Sequence, residues 1–92
     1  MVEVYTTATF DKLYRKIPRN IQKKAISKTE IFRNDPFAPA LQTEKLTPKK
    51  YNIWSFRVNL DYRIVFVFLS SEKAELHFIG HHNKIYDYEI FK

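Results

Sequence analysis

Apolar and polar residues alternate in two registers along this chain, and the registers change near residue 50. Residues 2–5 read as a short strand. Thr6 and Thr7 are then helix N-cap candidates. Phe10, Leu13, Tyr14 and Ile17 follow at i, i+3, i+4 and i+7, one face of a first helix. Pro18 ends that pattern and suits the start of a second helix. There Ile21, Ala25 and Phe32 carry a thinner apolar stripe flanked by Ile26 and Ile31. Asn34-Asp35-Pro36 closes it, because the residue before proline is pushed out of the helical region. Residues 35–50 read as a loop holding Pro36, Pro39 and Pro48, with Glu44-Lys45-Leu46 as a brief edge strand.

From residue 51 the period falls to two. Trp54, Phe56 and Val58 share a face, and Ser55 and Arg57 take the other. Tyr62, Ile64, Phe66 and Phe68 share a face, while Arg63, Val65, Val67 and Leu69 share the opposite one. A strand apolar on both sides predicts a central place in the sheet. In the next strand, strict alternation sends Leu76 and Phe78 one way and His77, Ile79 and His81 the other. Gly80 permits a close backbone approach. Residues 83–86 predict a helical turn, followed by a tail to Lys92. The expected fold class is α+β: an N-terminal strand and two-helix hairpin on a twisted antiparallel sheet of about four strands. The whole chain, residues 1–92, is expected to form one domain.

Hairpin register makes one prediction with chemical content. If Asn59-Leu60-Asp61 is a three-residue loop, Val58 pairs with Tyr62 and Arg57 with Arg63. Directly opposed residues point to the same side, so the two guanidinium groups stand together. Like charges there are destabilising unless something negative lies between them. A two-residue loop would separate them onto opposite faces.

Composition narrows the classes of function. The formal net charge is +6 and the sequence pI about 9.6, which favours an anionic partner, nucleic acid first. Much of that charge sits on the two helices, where a plain solvated face explains it equally well. There is no cysteine, which fits a reducing, cytoplasmic setting. The longest apolar run, residues 64–69, is too short for a bilayer, and no signal peptide is visible, so no membrane partner is expected. One glycine excludes a glycine-rich phosphate loop.

Nucleophilic catalysis finds no cysteine and no nucleophile-elbow serine. His77, His81 and His82 lack an HExxH frame and a further ligand, and His77 and His81 would sit roughly 13 Å apart on a strand. No metal and no cofactor is therefore expected. RNA cleavage by its own 2′-OH fits better. That reaction needs a base, an acid and cationic donors around the phosphate. Histidine serves either proton role near neutral pH. Arg57 and Arg63 suit a bidentate phosphate clamp, Tyr86 a stacked base or phosphate contact, and Lys45, Lys49 and Lys50 the RNA-binding rim. Ordinary structural roles compete. The histidines suit a solvated strand end and Tyr86 a core position, and Arg57 and Arg63 have Glu75, Asp61 and Asp87 as candidate ion-pair partners.

Several blocks in order resemble the RelE/ParE superfamily of type II toxin–antitoxin toxins, in its RelE-like branch. They are Asp35-Pro36-Phe37 leading to Glu44-Lys45-Leu46, then Trp54-Ser55-Phe56-Arg57-Val58, then Asp61-Tyr62-Arg63-Ile64-Val65-Phe66. The last is Ile79-Gly80-His81-His82-Asn83-Lys84-Ile85-Tyr86. The resemblance implies a metal-independent endoribonuclease that cleaves mRNA at the ribosome, inhibits translation and is neutralised by a cognate antitoxin. It implies phosphate contacts for Arg57 and Arg63. It places His82 where relatives often carry a catalytic arginine or histidine, and matches Tyr86 to a functional C-terminal tyrosine. His81 and Lys49 carry over more loosely, and Glu44 is a remote candidate for a carboxylate base. A ParE-like inhibitor of DNA gyrase and a non-catalytic RNA- or protein-binding module of the same fold are the alternatives.

Overall fold

The computed structural model describes the backbone of residues 1–87 and the side chains of residues 1–84. The expected α+β fold is found, with a five-stranded sheet in the order β1-β5-β4-β3-β2. The strands are β1 (Glu3–Thr6), β2 (Glu44–Lys45), β3 (Trp54–Arg57), β4 (Tyr62–Ser70) and β5 (Lys73–His81). β4, apolar on both faces, is the middle strand. The sheet is mixed, because β1 lies parallel to β5 while every other pair is antiparallel. The helices are α1 (Ala8–Lys16) and α2 (Arg19–Asn34).

Thr7, rather than Thr6, caps α1: its hydroxyl accepts from the Phe10 N–H at 3.1 Å. That satisfies one of the orphan donors of the first turn. Both helices lay apolar residues on one face of the sheet. Phe10, Ile21, Ala25 and Phe32 meet Phe56, Val58, Ile64, Phe66, Leu76 and Ile79 there. Phe32 is wholly buried and contacts three rings, Phe56, Phe66 and Phe68. Ile26 and Ile31 flank the stripe and stay exposed. A second, smaller cluster joins Leu46, Ile53, Val65 and Phe78. Val65 points away from Ile64 and Phe66 by strand alternation, so this cluster belongs to the sheet's second face.

The β4–β5 pairing is irregular at two places, at Leu69 near the turn and within β5. Val65 pairs with Phe78 but Phe66 pairs with Leu76, so His77 is looped out as a β-bulge. Beyond it the faces exchange. Ile79, expected opposite Leu76, joins Leu76 in the helix-side core, and Phe78 goes to the second face. The looped-out His77 is held at Nε2 by Glu75 Oε1, 2.7 Å away.

The bulge also fixes what Gly80 must be. Gly80 pairs with Arg63, and a Cβ added to it would come within 2.8 Å of Phe78 Cζ. Its φ is not in the left-handed region, so the requirement is space alone. Gly80→Ala is expected to destabilise the domain by about 1–3 kcal/mol, the usual result of forcing a packed ring aside. Chemical denaturation measures this directly. An unchanged midpoint would mean that the Phe78 ring has room to move.

Candidate functional site at the hairpin end of the sheet

The β3–β4 turn creates the site. The Asn59 side chain accepts from the N–H groups of Asp61 and Tyr62, both at 2.8 Å. Val58 N–H donates to the Tyr62 carbonyl at 2.9 Å. This is the three-residue loop, and it sets Arg57 directly across from Arg63 on the second face. Gly80 stands on the other side of Arg63, so the rung Arg57–Arg63–Gly80 carries two guanidinium groups and then no side chain.

The two arginines are not equivalent. Arg63 Nη1 bonds Glu44 Oε1 at 3.1 Å. Glu44 reaches it because β2 pairs Glu44 with Ser55, placing that carboxylate on the arginines' face. This partner is none of Glu75, Asp61 and Asp87, the ion-pair candidates read from the sequence. Arg63 Nε is buried and, among the described residues, without a hydrogen-bond partner. Among the described residues Arg57 has no ion pair. Among the described residues, one positive charge of the pair is thus left without a counter-ion.

The histidines form a second group on the neighbouring rung, where the bulge turns His81, expected opposite Leu76, to the helix-side face of Leu76 and Tyr62, away from the arginine pair. His81 pairs with Tyr62 and packs edge-on against its ring, with centroids 5.9 Å apart. The His82 ring stacks on His81 at 4.7 Å. His82 is tied to the turn, its backbone N–H donating to the Asp61 carbonyl at 2.7 Å and its Nδ1 lying 3.3 Å from the same oxygen. Strand alternation alone leaves these histidines without a further ligand; the turn supplies one. Asp61, His81 and His82 each place a ligand atom within 4.8 Å of the others. His77 stays apart from them, at the bulge with Glu75.

Tyr86 lies in the closing 3-10 helix, His82–Asp87, and its side chain falls outside the described residues, as does the tail beyond residue 87. The lysines proposed for RNA binding are spread out. Lys45 pairs with Trp54, whose ring packs against the helix-side core, and its Nζ lies 5.8 Å from that ring. It therefore faces away from the arginine pair. Lys49 and Lys50 sit in a 3-10 turn, Lys49–Tyr51, that leads into β3 at the end far from Arg57. Two further lysines, Lys24 and Lys28 of α2, line one cleft with Arg57, Asn59 and Leu60. Their spacing of four on one helix face was the signal available in the sequence.

A family model described as the RelE-like toxin of the type II toxin–antitoxin system HigB matches residues 4–82. The chain belongs to this family of HigB-like toxins, within the RelE/ParE superfamily. Among solved structures, it is similar to a YoeB/ParE toxin from Agrobacterium tumefaciens, with 19% identity, 88% of this chain and 99% of that one covered, and a TM-score of 0.73. It is similar to the RelE of a RelB-RelE antitoxin–toxin complex from Methanococcus jannaschii, with 22% identity, 92% and 98% covered, and a TM-score of 0.72. YafQ from E. coli strain BL21(DE3) gives 11% identity, 94% and 99% covered, and a TM-score of 0.74. At these identities the structural likeness speaks for the fold alone. No curated protein matches the sequence significantly. Among the described residues no helix is long and apolar enough to cross a membrane.

Proposed function

We propose that this toxin is a metal-independent endoribonuclease that cuts mRNA at the ribosome and so inhibits translation, with a cognate antitoxin as its partner. The observation that carries the reading is the in-register Arg57–Arg63 pair with, among the described residues, a single carboxylate, Glu44, against it. Two opposed guanidinium groups repel unless an anion joins them, and a phosphodiester is the anion this geometry suits. The family resemblance and the net charge of +6 support the same substrate class.

In this reading the 2′-oxygen of the RNA attacks the adjacent phosphorus, the bond to the 5′-oxygen breaks, and a cyclic phosphate is left. Arg57 and Arg63 hold the non-bridging oxygens as negative charge builds on them. His81 and His82 are the residues for proton transfer, one taking the 2′-OH proton and one protonating the leaving 5′-oxygen, on an RNA that rounds the hairpin end of the sheet to meet His81 on one face and the arginines on the other. Tyr86 serves the flanking base or phosphate. Lys24 and Lys28 extend the positive surface from the hairpin to α2, with Lys45, Lys49 and Lys50 as more distant contacts. The cognate antitoxin is inferred from the type of system to which the family belongs and from the antitoxin–toxin complex among its structural neighbours.

The test is expression of the wild type and His82→Ala in cells and in ribosome-containing extracts. Wild type is expected to arrest growth and to cut mRNA in the presence of chelator. His82→Ala is expected to lose about 10²–10⁴ of the cleavage rate, the usual share of a general acid or base. Because His82 is partly exposed, its thermal melt should stay close to wild type. A DNA-damage response without cut mRNA would instead favour gyrase inhibition. Intact RNA at high toxin concentration, with no such response, would leave a binding module.

A further inference from the structure

The Asp61, His81 and His82 group has more in common with a metal site than proton transfer requires. Each residue brings one ligand atom to within 4.8 Å of the other two. A tetrahedral zinc ion with bonds of about 2.0–2.1 Å needs its ligand atoms roughly 3.4 Å apart. The gap closes by side-chain rotation alone, since Asp61 and His81 are 64% and 39% exposed. His81 Nε2 already lies 4.0 Å from Asp61 Oδ1.

Orientation of the second imidazole is the independent observation. His82 Nδ1 sits 3.3 Å from the Asp61 carbonyl oxygen, to which Nδ1–H donates. In that tautomer Nε2 carries the free lone pair. A ligating histidine commonly has its other ring N–H held by a carbonyl or carboxylate in this way. The contact opposing ligation is weak: coordination at His81 Nε2 would cost only the 3.3 Å hydrogen bond from Asn83 N–H to its Nδ1, at an exposed position. Two imidazoles and one carboxylate are the donor set of a borderline divalent ion, Zn²⁺ above Mg²⁺ or Ca²⁺. The exposure of the group leaves water to complete the shell.

We propose that Asp61, His81 and His82 form a binding site for a divalent transition-metal ion of the Zn²⁺ type, and that its occupation shuts off RNA cleavage. The second half rests on the endoribonuclease reading above. A histidine whose lone pair is on a metal cannot exchange a proton with RNA. The metal is therefore an inhibitor of this site and has no part in the reaction.

Isothermal titration of the chelator-treated full chain with ZnCl₂ tests the first half without RNA. One ion per chain is expected, with affinity at least ~10-fold weaker in Asp61→Asn and in His81→Ala, in keeping with the loss of a ligand. Asp61→Asn leaves the turn intact, because Asn59 bonds the Asp61 backbone and not its carboxylate. Histidine ring NMR signals of the wild type give the same answer without any variant. Zn²⁺ should shift His81 and His82 and leave His77 in place. No binding, equal affinity in Asp61→Asn, or shifts at His77 alone would overturn the site.

The second half is read from cleavage in ribosome-containing extracts. Zn²⁺ should inhibit the wild type, and Asp61→Asn should need at least ~10-fold more Zn²⁺ for the same fractional inhibition of its own metal-free rate. Site-dependent Zn²⁺ binding with undiminished cleavage would overturn the inhibitory role. Site-dependent binding by a chain that never cuts RNA would support the metal site and overturn the nuclease reading.

Discussion

Arg63→Ala is expected to lower RNA cleavage by roughly 10²–10³-fold, the effect of removing one preorganised donor from a developing oxyanion. The same change should leave the melting temperature unchanged or slightly raised. Arg63 is partnered by Glu44, whose side chain is 57% exposed, and an ion pair so open to water contributes about 0–1 kcal/mol. Against that small loss stands relief of the repulsion between Arg63 and the opposed Arg57. Activity and stability therefore move apart, which a merely structural arginine would not allow. Arg63→Lys should fall between the two, keeping the charge but losing the bidentate fork. Cleavage in ribosome-containing extract and a circular-dichroism melt measure the two quantities. Full cleavage by the alanine variant would remove the arginine pair from the site.

Phe32→Ala should have the largest effect on the fold, about 3–5 kcal/mol. The ring is completely buried, at the centre of contacts to Phe56, Phe66 and Phe68 that tie α2 to β3 and β4. A domain of this size has only about 5–15 kcal/mol in total. Each kcal/mol is worth roughly 4–8 °C of melting temperature, so the variant should be close to unfolding under growth conditions. Ile26→Ala on the same helix is the contrast. Its side chain is 58% exposed, and its substitution should change stability by less than about 0.5 kcal/mol. If urea denaturation gave similar midpoints for both variants, α2 would not be anchored as described.

The helices and the central hairpin were legible in the sequence because their signals are local. The i, i+3, i+4 stripe names Phe10 and Tyr14 for packing, and the two-residue period names Phe56, Ile64 and Phe66. The arginine pair was legible for a similar reason. A turn of known length fixes register, and register fixes faces. Three features were not readable, each because it depends on a non-local partner or an irregular backbone. Glu44 reaches Arg63 only through β2, a two-residue strand placed by the preceding loop. Asp61 reaches the histidines only because the start of the closing 3-10 helix folds back on the turn. The parallel pairing of β1 with β5 links the chain's beginning to its last strand, and no short-range pattern encodes it. Lys45 shows the limit of reading charge without geometry, since pairing with Trp54 turns it from the arginines.

The irregularity at His77 has a consequence for how such a site is tuned. Were β5 to pair without it, every partner from Val65 back to Tyr62 would slip by one position. Ile79 would then meet Arg63 in place of Gly80, crowding the guanidinium with a branched chain, and Gly80 would take the station of His81 beside Tyr62. Both halves of the site would be lost with no functional residue altered. A single surplus residue thus acts as the phase setting of this enzyme-like rim, and inserting or deleting one position in that strand is the smallest genetic step that could rebuild it or erase it.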